Sequence, residues 1–257
     1  MPAQNESWDT SGFFVVPRFA PQAVCDAMLA RAIEIARLAA DGNPPGRALV
    51  TAEAKPNPNA LNPEDRVSKI FRLHRDGVFN EFCTSPRVLD LVEGMLGADI
   101  DCFLSQFIFK NQGAMGQPWH QDSYYFPFSK APQVGLWLAV TRATLDNGCL
   151  HVLPGSHLEP VHAHVPDRRP QANYGYLEIV DHDLSASTPL LMEAGDLLVF
   201  HGQLMHRSLD NVSSGIRGAM VWHYTPAGTI DRSAEKFGRA AVVNDFMPVR
   251  RSTGLAT

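Results

Sequence analysis

The run QVGLWLAVTRATLDNGCLHVLPGSH, residues 133–157, decides how the chain is read. Residues 133–143 and 149–153 are β-branched, aromatic or apolar, and the turn formers Asp146-Asn147-Gly148 and Pro154-Gly155-Ser156 punctuate them. Short strands joined by turns fit that texture. It continues in residues 100–109 (IDCFLSQFIF), 189–193, 196–200 (DLLVF, after the turn Ala194-Gly195) and 217–224 (RGAMVWHY).

Upstream the texture changes. GFFVV, residues 12–16, reads as a short strand, and Pro21 suits the first position of a helix. Val24, Met28, Ala32, Ile35 and Ala39 then recur at helical spacing up to Asp41-Gly42, which predicts a helix lying on a sheet. Between residues 43 and 65, Pro44, Pro45, Pro56, Pro58 and Pro63 exclude regular helix or a central strand and predict a surface loop. A second helix spans Pro86 to Leu96 and stops at Gly97. Helices first and many short strands afterwards predict a mainly β fold with helical support, a jelly roll or double-stranded β-helix of cupin-like form. We read one domain over residues 1–257. It has an N-terminal strand and helices at 10–99, a jelly-roll core at 100–226 and a tail at 227–257. An insertion at about 154–188 is too long for a tight turn, and connections of that length often serve as lids.

Composition narrows the function. The chain has 257 residues, 45% of them apolar and 19% charged, enough to bury a substantial core. A net charge of −5 and only two Arg pairs, Arg168-Arg169 and Arg250-Arg251, offer no basic field for nucleic acid. Nothing approaches the ~18 apolar residues of a membrane span, and MPAQNESWDTSGFFVV lacks the pattern of a secretory leader, so a cytoplasmic location is expected. Cys25, Cys83, Cys102 and Cys149 lie far apart without a C-x-x-C pair, which predicts buried reduced thiols.

The chemistry concentrates in WHQD, residues 119–122. In extended chain His120 and Asp122 project from one face, two of the three ligands of a two-histidine, one-carboxylate facial site for Fe(II). The third must be a distant histidine among His151, His157, His162, His164, His182, His201, His206 and His223. His206 stands out because it follows the strand DLLVF and a short turn and precedes a strand that opens with Arg217, eleven residues on. A keto acid chelating iron through one end buries its far carboxylate, which needs a fixed cation, and the planar fork of arginine meets that need. His162-x-His164 shows the same alternation but sits in the insertion with no evident third ligand.

WHQD, the segment 137–157 and HRSLDNVSSGIR (206–217) together resemble the phytanoyl-CoA dioxygenase family of Fe(II)/2-oxoglutarate oxygenases, and GFFVVPRFAPQAV is similar to that family's opening. The likeness runs from about residue 10 to 226. It implies that His120, Asp122 and His206 bind Fe(II) and that Arg217 pairs with the far carboxylate of 2-oxoglutarate. Trp137 falls where members line the cosubstrate pocket, with Lys69, Gln106 and Ser208 as further contacts; Asn211 also matches. Tyr124, Tyr125 and Phe126, next to the metal motif, are expected to wall the substrate cavity or to pack beneath its rim. The implied reaction consumes O2 and 2-oxoglutarate, hydroxylates an unactivated C–H bond of a small organic molecule, a secondary metabolite or lipid-like acid, and releases succinate and CO2. Related halogenases carry a small residue where Asp122 stands, so hydroxylation is the expected outcome. A zinc hydrolase with the same ligands, which would have no need of Arg217 or Trp137, or a jelly-roll binding module with a structural metal, which would bind ligand yet consume no O2, remains the alternative.

Overall fold

The computed structural model describes residues 2–54, 56–58, 60–169 and 175–252. In chain order, α1 (Pro2–Ser11) and β1 (Phe13–Val16) precede α2 (Gln22–Ala40), β2 (Leu49–Ala52), β3 (Val67–Phe71), α3 (Gly77–Cys83), α4 (Pro86–Leu96) and β4 (Ile100–Lys110). Then come α5 (Asp122–Tyr125), β5 (Val134–Ala139), β6 (Leu150–Val152), β7 (Val165–Pro166), β8 (Leu177–Glu178) and β9 (Thr188–Leu190). The chain closes with β10 (Leu197–His201), β11 (His206–Ser208), β12 (Arg217–Pro226), α6 (Ser233–Phe237) and β13 (Met247–Arg250).

Eight strands form one antiparallel sheet in the order β1-β10-β5-β12-β4-β3-β2, with β13 also paired to β4. A three-stranded antiparallel sheet, β11-β6-β9, faces it, and β7 and β8 make a small hairpin in the insertion. This is the sheet-rich, cupin-like jelly roll expected, left open rather than closed into a barrel.

Strand alternation sorts the side chains of the large sheet into two layers. On β12, Met220, Trp222 and Tyr224 join the core formed with α2, where Met28, Ala32 and Ile35 are fully buried. Ala219 and Val221, with Trp137 of β5 and Phe200 of β10, meet Leu150 and Val152 of the small sheet instead. Both faces are covered, so β5 is buried along its whole length and reads as an unbroken apolar run. Each fully buried large side chain contributes roughly 1.5–3 kcal/mol, so the two layers fix the sheet tightly. The inward row of β12 then continues with Arg217 and His223, both buried in the space between the sheets.

Several boundaries differ from the sequence reading for physical reasons. Pro21 is the extended residue before α2, not its first helical one. The proline-rich stretch holds β2, which the prolines permit because it is an edge strand. The tail returns to the large sheet through β13, and the N-terminal strands β1, β2 and β3 also belong to that sheet. Helix α1 carries little amphipathic signal, and α3 spans only seven residues, so neither stood out. α4 matches residue for residue, with Gly97 at φ 81° ending it. All four cysteines are buried free thiols.

Candidate metal centre

WHQD is held by backbone pairing before any metal is considered. His120 and His206 form an antiparallel bridge with both N–H···O bonds at 3.0 Å, which places the two imidazoles side by side with ring centroids 4.1 Å apart. The preceding loop approaches β11 so closely that a Cβ on Gly116 would lie 2.0 Å from the Ser208 carbonyl oxygen, so only glycine fits there. Gln121 is extended (φ −114°, ψ 130°), which keeps His120 and Asp122 on one side even though α5 begins at Asp122.

The outer partners orient the ligand atoms. His120 Nδ1 donates to the Pro118 carbonyl at 2.8 Å and His206 Nδ1 to the Leu204 carbonyl at 3.0 Å. A carbonyl can only accept, so each Nδ1 carries the hydrogen and each Nε2 presents a lone pair. Both lone pairs face Asp122 Oδ1, at 3.5 Å from His120 Nε2 and 3.8 Å from His206 Nε2. Such separations suit three atoms each about 2.1 Å from a shared ion. Asp122 Oδ2 is taken by His223, whose Nε2 donates to it at 2.8 Å. Burial by itself raises the Asp122 carboxyl, but the surrounding histidines, with the His223 N–H on Oδ2 among them, outweigh it and hold the group well below the usual carboxylate range. Burial pulls His206 down to about 4, so its imidazole is neutral and ready to ligate.

A cavity of about 250 Å³ opens beside these ligands. Arg217 lies in its wall, 1% exposed, with the guanidinium carbon 5.3 Å from the Trp137 ring centre. Its Nε and Nη1 have no hydrogen-bond partner among the described residues, and burial lowers its pKa only to about 10, so it stays charged at neutral pH. The neighbouring cations differ. Lys110 donates to the Met115 and Leu209 carbonyls, and Lys69 donates to Gln117 Oε1 at 3.4 Å while lying over the Tyr176 ring. A buried cation without a partner is costly, and a bound carboxylate would remove that cost. The residues therefore fit both a divalent ion and the anion beside it.

The other residues singled out by sequence are placed as follows. Trp137, Lys69, Gln106 and Ser208 line the cavity, and the Ser208 hydroxyl accepts the Gln117 N–H at 3.1 Å. Asn211 is buried outside it and bonds the Lys110 and Gly215 carbonyls, setting the turn before β12. Tyr125 and Phe126 are in the wall, and the Tyr125 hydroxyl accepts the Leu177 N–H of the insertion. Tyr124 is not among the lining residues. It stacks on His164 at 4.1 Å, under Lys236. His223, one of the histidines considered for the third ligand, instead donates to Asp122; the signal for its place beside the site is its position six residues after Arg217 on one strand, hence on the same face.

His162 and His164 do not converge. His164 Nε2 accepts the Gln121 N–H at 3.1 Å and its Nδ1 donates to the His162 carbonyl at 2.9 Å, so both nitrogens are engaged. His162 instead meets Glu159 and His182, and this trio and His120/Asp122/His206 are the two groups with metal-ligand spacing among the described residues.

Comparison with known proteins agrees with this geometry. The phytanoyl-CoA dioxygenase (PhyH) family matches residues 8–219. Peroxisomal phytanoyl-CoA dioxygenase of Bos taurus is 35% identical over 171 residues, covering 64% of this chain and 51% of its own. The Mus musculus protein of the same name is 30% identical over 228 residues, 86% of this chain and 67% of that one. The chain thus spans about half to two thirds of the length of these relatives. In fold it is similar to the apo form of the non-heme monooxygenase ThoJ (TM-score 0.71, 23% identity, 96% of this chain and 83% of that one). It is also similar to the epimerase SnoN in complex with Fe3+, alpha ketoglutarate and nogalamycin RO (TM-score 0.67, 19% identity, 90% and 85% covered). No described helix is long and apolar enough to cross a membrane.

Proposed function

From the premise that this chain belongs to the phytanoyl-CoA dioxygenase family, we propose that it is an Fe(II)/2-oxoglutarate-dependent oxygenase that hydroxylates an unactivated C–H bond of a small organic molecule. His120, Asp122 and His206 would hold the iron, and Arg217 would bind the far carboxylate of 2-oxoglutarate. Iron with 2-oxoglutarate and O2 supplies the oxidising chemistry, with succinate and CO2 as co-products. The backbone pairing of His120 with His206 would set the two imidazoles to hold the iron. His223 holds Oδ2 of Asp122, which would leave Oδ1 for the ion. Trp137 flanks the Arg217 guanidinium, and Tyr125 and Phe126 wall the space left for substrate and help exclude water. A secondary metabolite or lipid-like acid is the substrate class favoured here.

The observation that carries this reading is Arg217, a buried charge with unpartnered nitrogens beside a three-ligand cluster. Its test is anaerobic titration of the Fe(II)-loaded protein with 2-oxoglutarate, followed by the weak visible band of keto-acid chelation. Arg217→Ala should weaken 2-oxoglutarate binding by roughly 30- to 1,000-fold, about 2–4 kcal/mol, while Fe(II) affinity stays put. Arg217→Lys should restore only part, because a point charge lacks the fork. Unchanged 2-oxoglutarate affinity in Arg217→Ala would overturn the assignment.

A further inference from the structure

Outside the iron site the chain gathers a second set of metal-ligating atoms. Glu159 and His162 stand where the insertion leaves the small sheet, and His182 stands near its return. Their ligand atoms all lie within 4.8 Å of one another. Glu159 Oε2 contacts His162 Nε2 and His182 Nε2, each at 2.8 Å. The rings of His162 and His182 are perpendicular, with centroids 5.2 Å apart, so both nitrogens reach one point without stacking.

The hydrogen positions show where a cation sits in this trio. His182 Nδ1 lies 2.9 Å from the Asp183 carbonyl, which can only accept, so Nδ1 carries the hydrogen. In the neutral ring Nε2 is then a bare lone pair, and it points at a carboxylate oxygen, another acceptor. Two acceptors at 2.8 Å require a cation between them, either a proton or a metal. The orienting bond is of the same kind that His120 and His206 make to their own carbonyls. Two imidazoles and one carboxylate suit zinc, with water or an anion completing a tetrahedron. Bond lengths near 2.1 Å ask the ligand atoms to open by about 0.5 Å. Side chains 17–39% exposed can make that adjustment by small rotations.

We propose that Glu159, His162 and His182 form a second divalent-metal site, of zinc type, that clasps the base of the insertion over the active cavity. The placement gives the clasp a purpose. Gly175 and Tyr176 of the insertion line the cavity. The insertion is pinned to WHQD at both ends, by Gln121 Oε1 accepting the His162 N–H at 2.8 Å and by the Ile179 N–H donating to the Trp119 carbonyl at 2.8 Å. A metal joining residues 159 and 182 closes the intervening loop and lowers the entropy of its open states.

The test is Zn(II) binding to the metal-free full chain by equilibrium dialysis with elemental analysis, independent of turnover. The expected result is one equivalent that Asp122→Ala keeps and that Glu159→Gln and His182→Ala lose. Its affinity should fall by more than the roughly 10- to 100-fold that loss of an outer partner costs. The same metal should slow proteolysis within residues 163–169 and 175–181 in the wild type and not in His182→Ala. Circular dichroism checks that each variant is folded, and Glu159→Gln preserves side-chain shape. The absence of an equivalent sensitive to Glu159 and His182 would overturn the proposal. Loss of the Asp122-sensitive equivalent alone would strike the iron site and leave this one standing.

Discussion

The two histidine–carboxylate clusters use similar ligands in opposite surroundings. His120, Asp122 and His206 stand between the two sheets, on backbone that pairs with itself, and Asp122 Oδ1 is held 3.5 and 3.8 Å from the two imidazole Nε2 atoms. Glu159, His162 and His182 stand in the insertion, partly exposed and in direct contact at 2.8 Å. In the first the fold holds open a gap of ionic size. In the second the side chains close on one another until a metal opens them. Ligand type is thus shared, and the outer partners decide what each cluster does.

Function should divide the clusters most sharply. Asp122→Ala removes the carboxylate that the proposed site relies on to hold the ion, so substrate-dependent succinate release should fall by more than about 100-fold and bound iron should drop with it. Glu159→Gln, at the other cluster, should stay within about threefold under saturating iron and substrate. Full turnover in Asp122→Ala, or equal loss in the two variants, would erase the distinction.

Burial also has a pH signature away from both clusters. His74 is fully buried, with Nδ1 on Ser105 Oγ and Nε2 on the Asp245 carbonyl. Burial, opposed by Asp245, lowers its pKa to about 4. The unfolded chain takes up this proton first, near pH 6.5, so the contribution to stability is complete above that pH. It is lost as pH falls from about 6.5 to about 4, on the order of 3 kcal/mol in all. Denaturant midpoints of the metal-free protein across this range should decline in the wild type, and less in a folded His74→Gln variant. Identical slopes would remove His74 from the account.

His223 tests whether outer partners matter as argued. His223→Ala frees Asp122 Oδ2, which can then turn toward the ion, and metal affinity should fall by roughly 10- to 100-fold. His223→Gln, which keeps an N–H donor, should recover part of it. Competition with a chromophoric chelator reads the affinity directly. An unchanged value would show that the carboxylate needs no such anchor.

Much of this is legible in the sequence. The strand runs 100–109, 196–200 and 217–224 fall within about two residues of β4, β10 and β12, because buried strands flanked by turn formers announce both ends. His120, Asp122, His206 and Arg217 converge because extended alternation and a strand-turn-strand return are local rules. What local rules do not carry is pairing at a distance. β13 and β2 gain their identity from partners in the large sheet, and the Glu159–His182 contact depends on how the insertion folds back. The turn of α5 likewise spreads three consecutive aromatic residues that a linear reading grouped together.

That spreading gives the smallest expected effect. Tyr125 lines the cavity and ties its hydroxyl to the Leu177 N–H, whereas Tyr124 packs on His164 of the insertion and under Lys236. Tyr124→Leu removes ring contacts away from the cavity and should change kcat/KM by about twofold, the scale of a substitution outside the machinery. Tyr125→Leu alters the wall itself and should change kcat/KM more, with most of the change in KM if the ring only contacts substrate. The pair draws the border between cavity and insertion one residue at a time. A tenfold loss in Tyr124→Leu beside a neutral Tyr125→Leu would move that border and place the insertion, through His164, inside the substrate site.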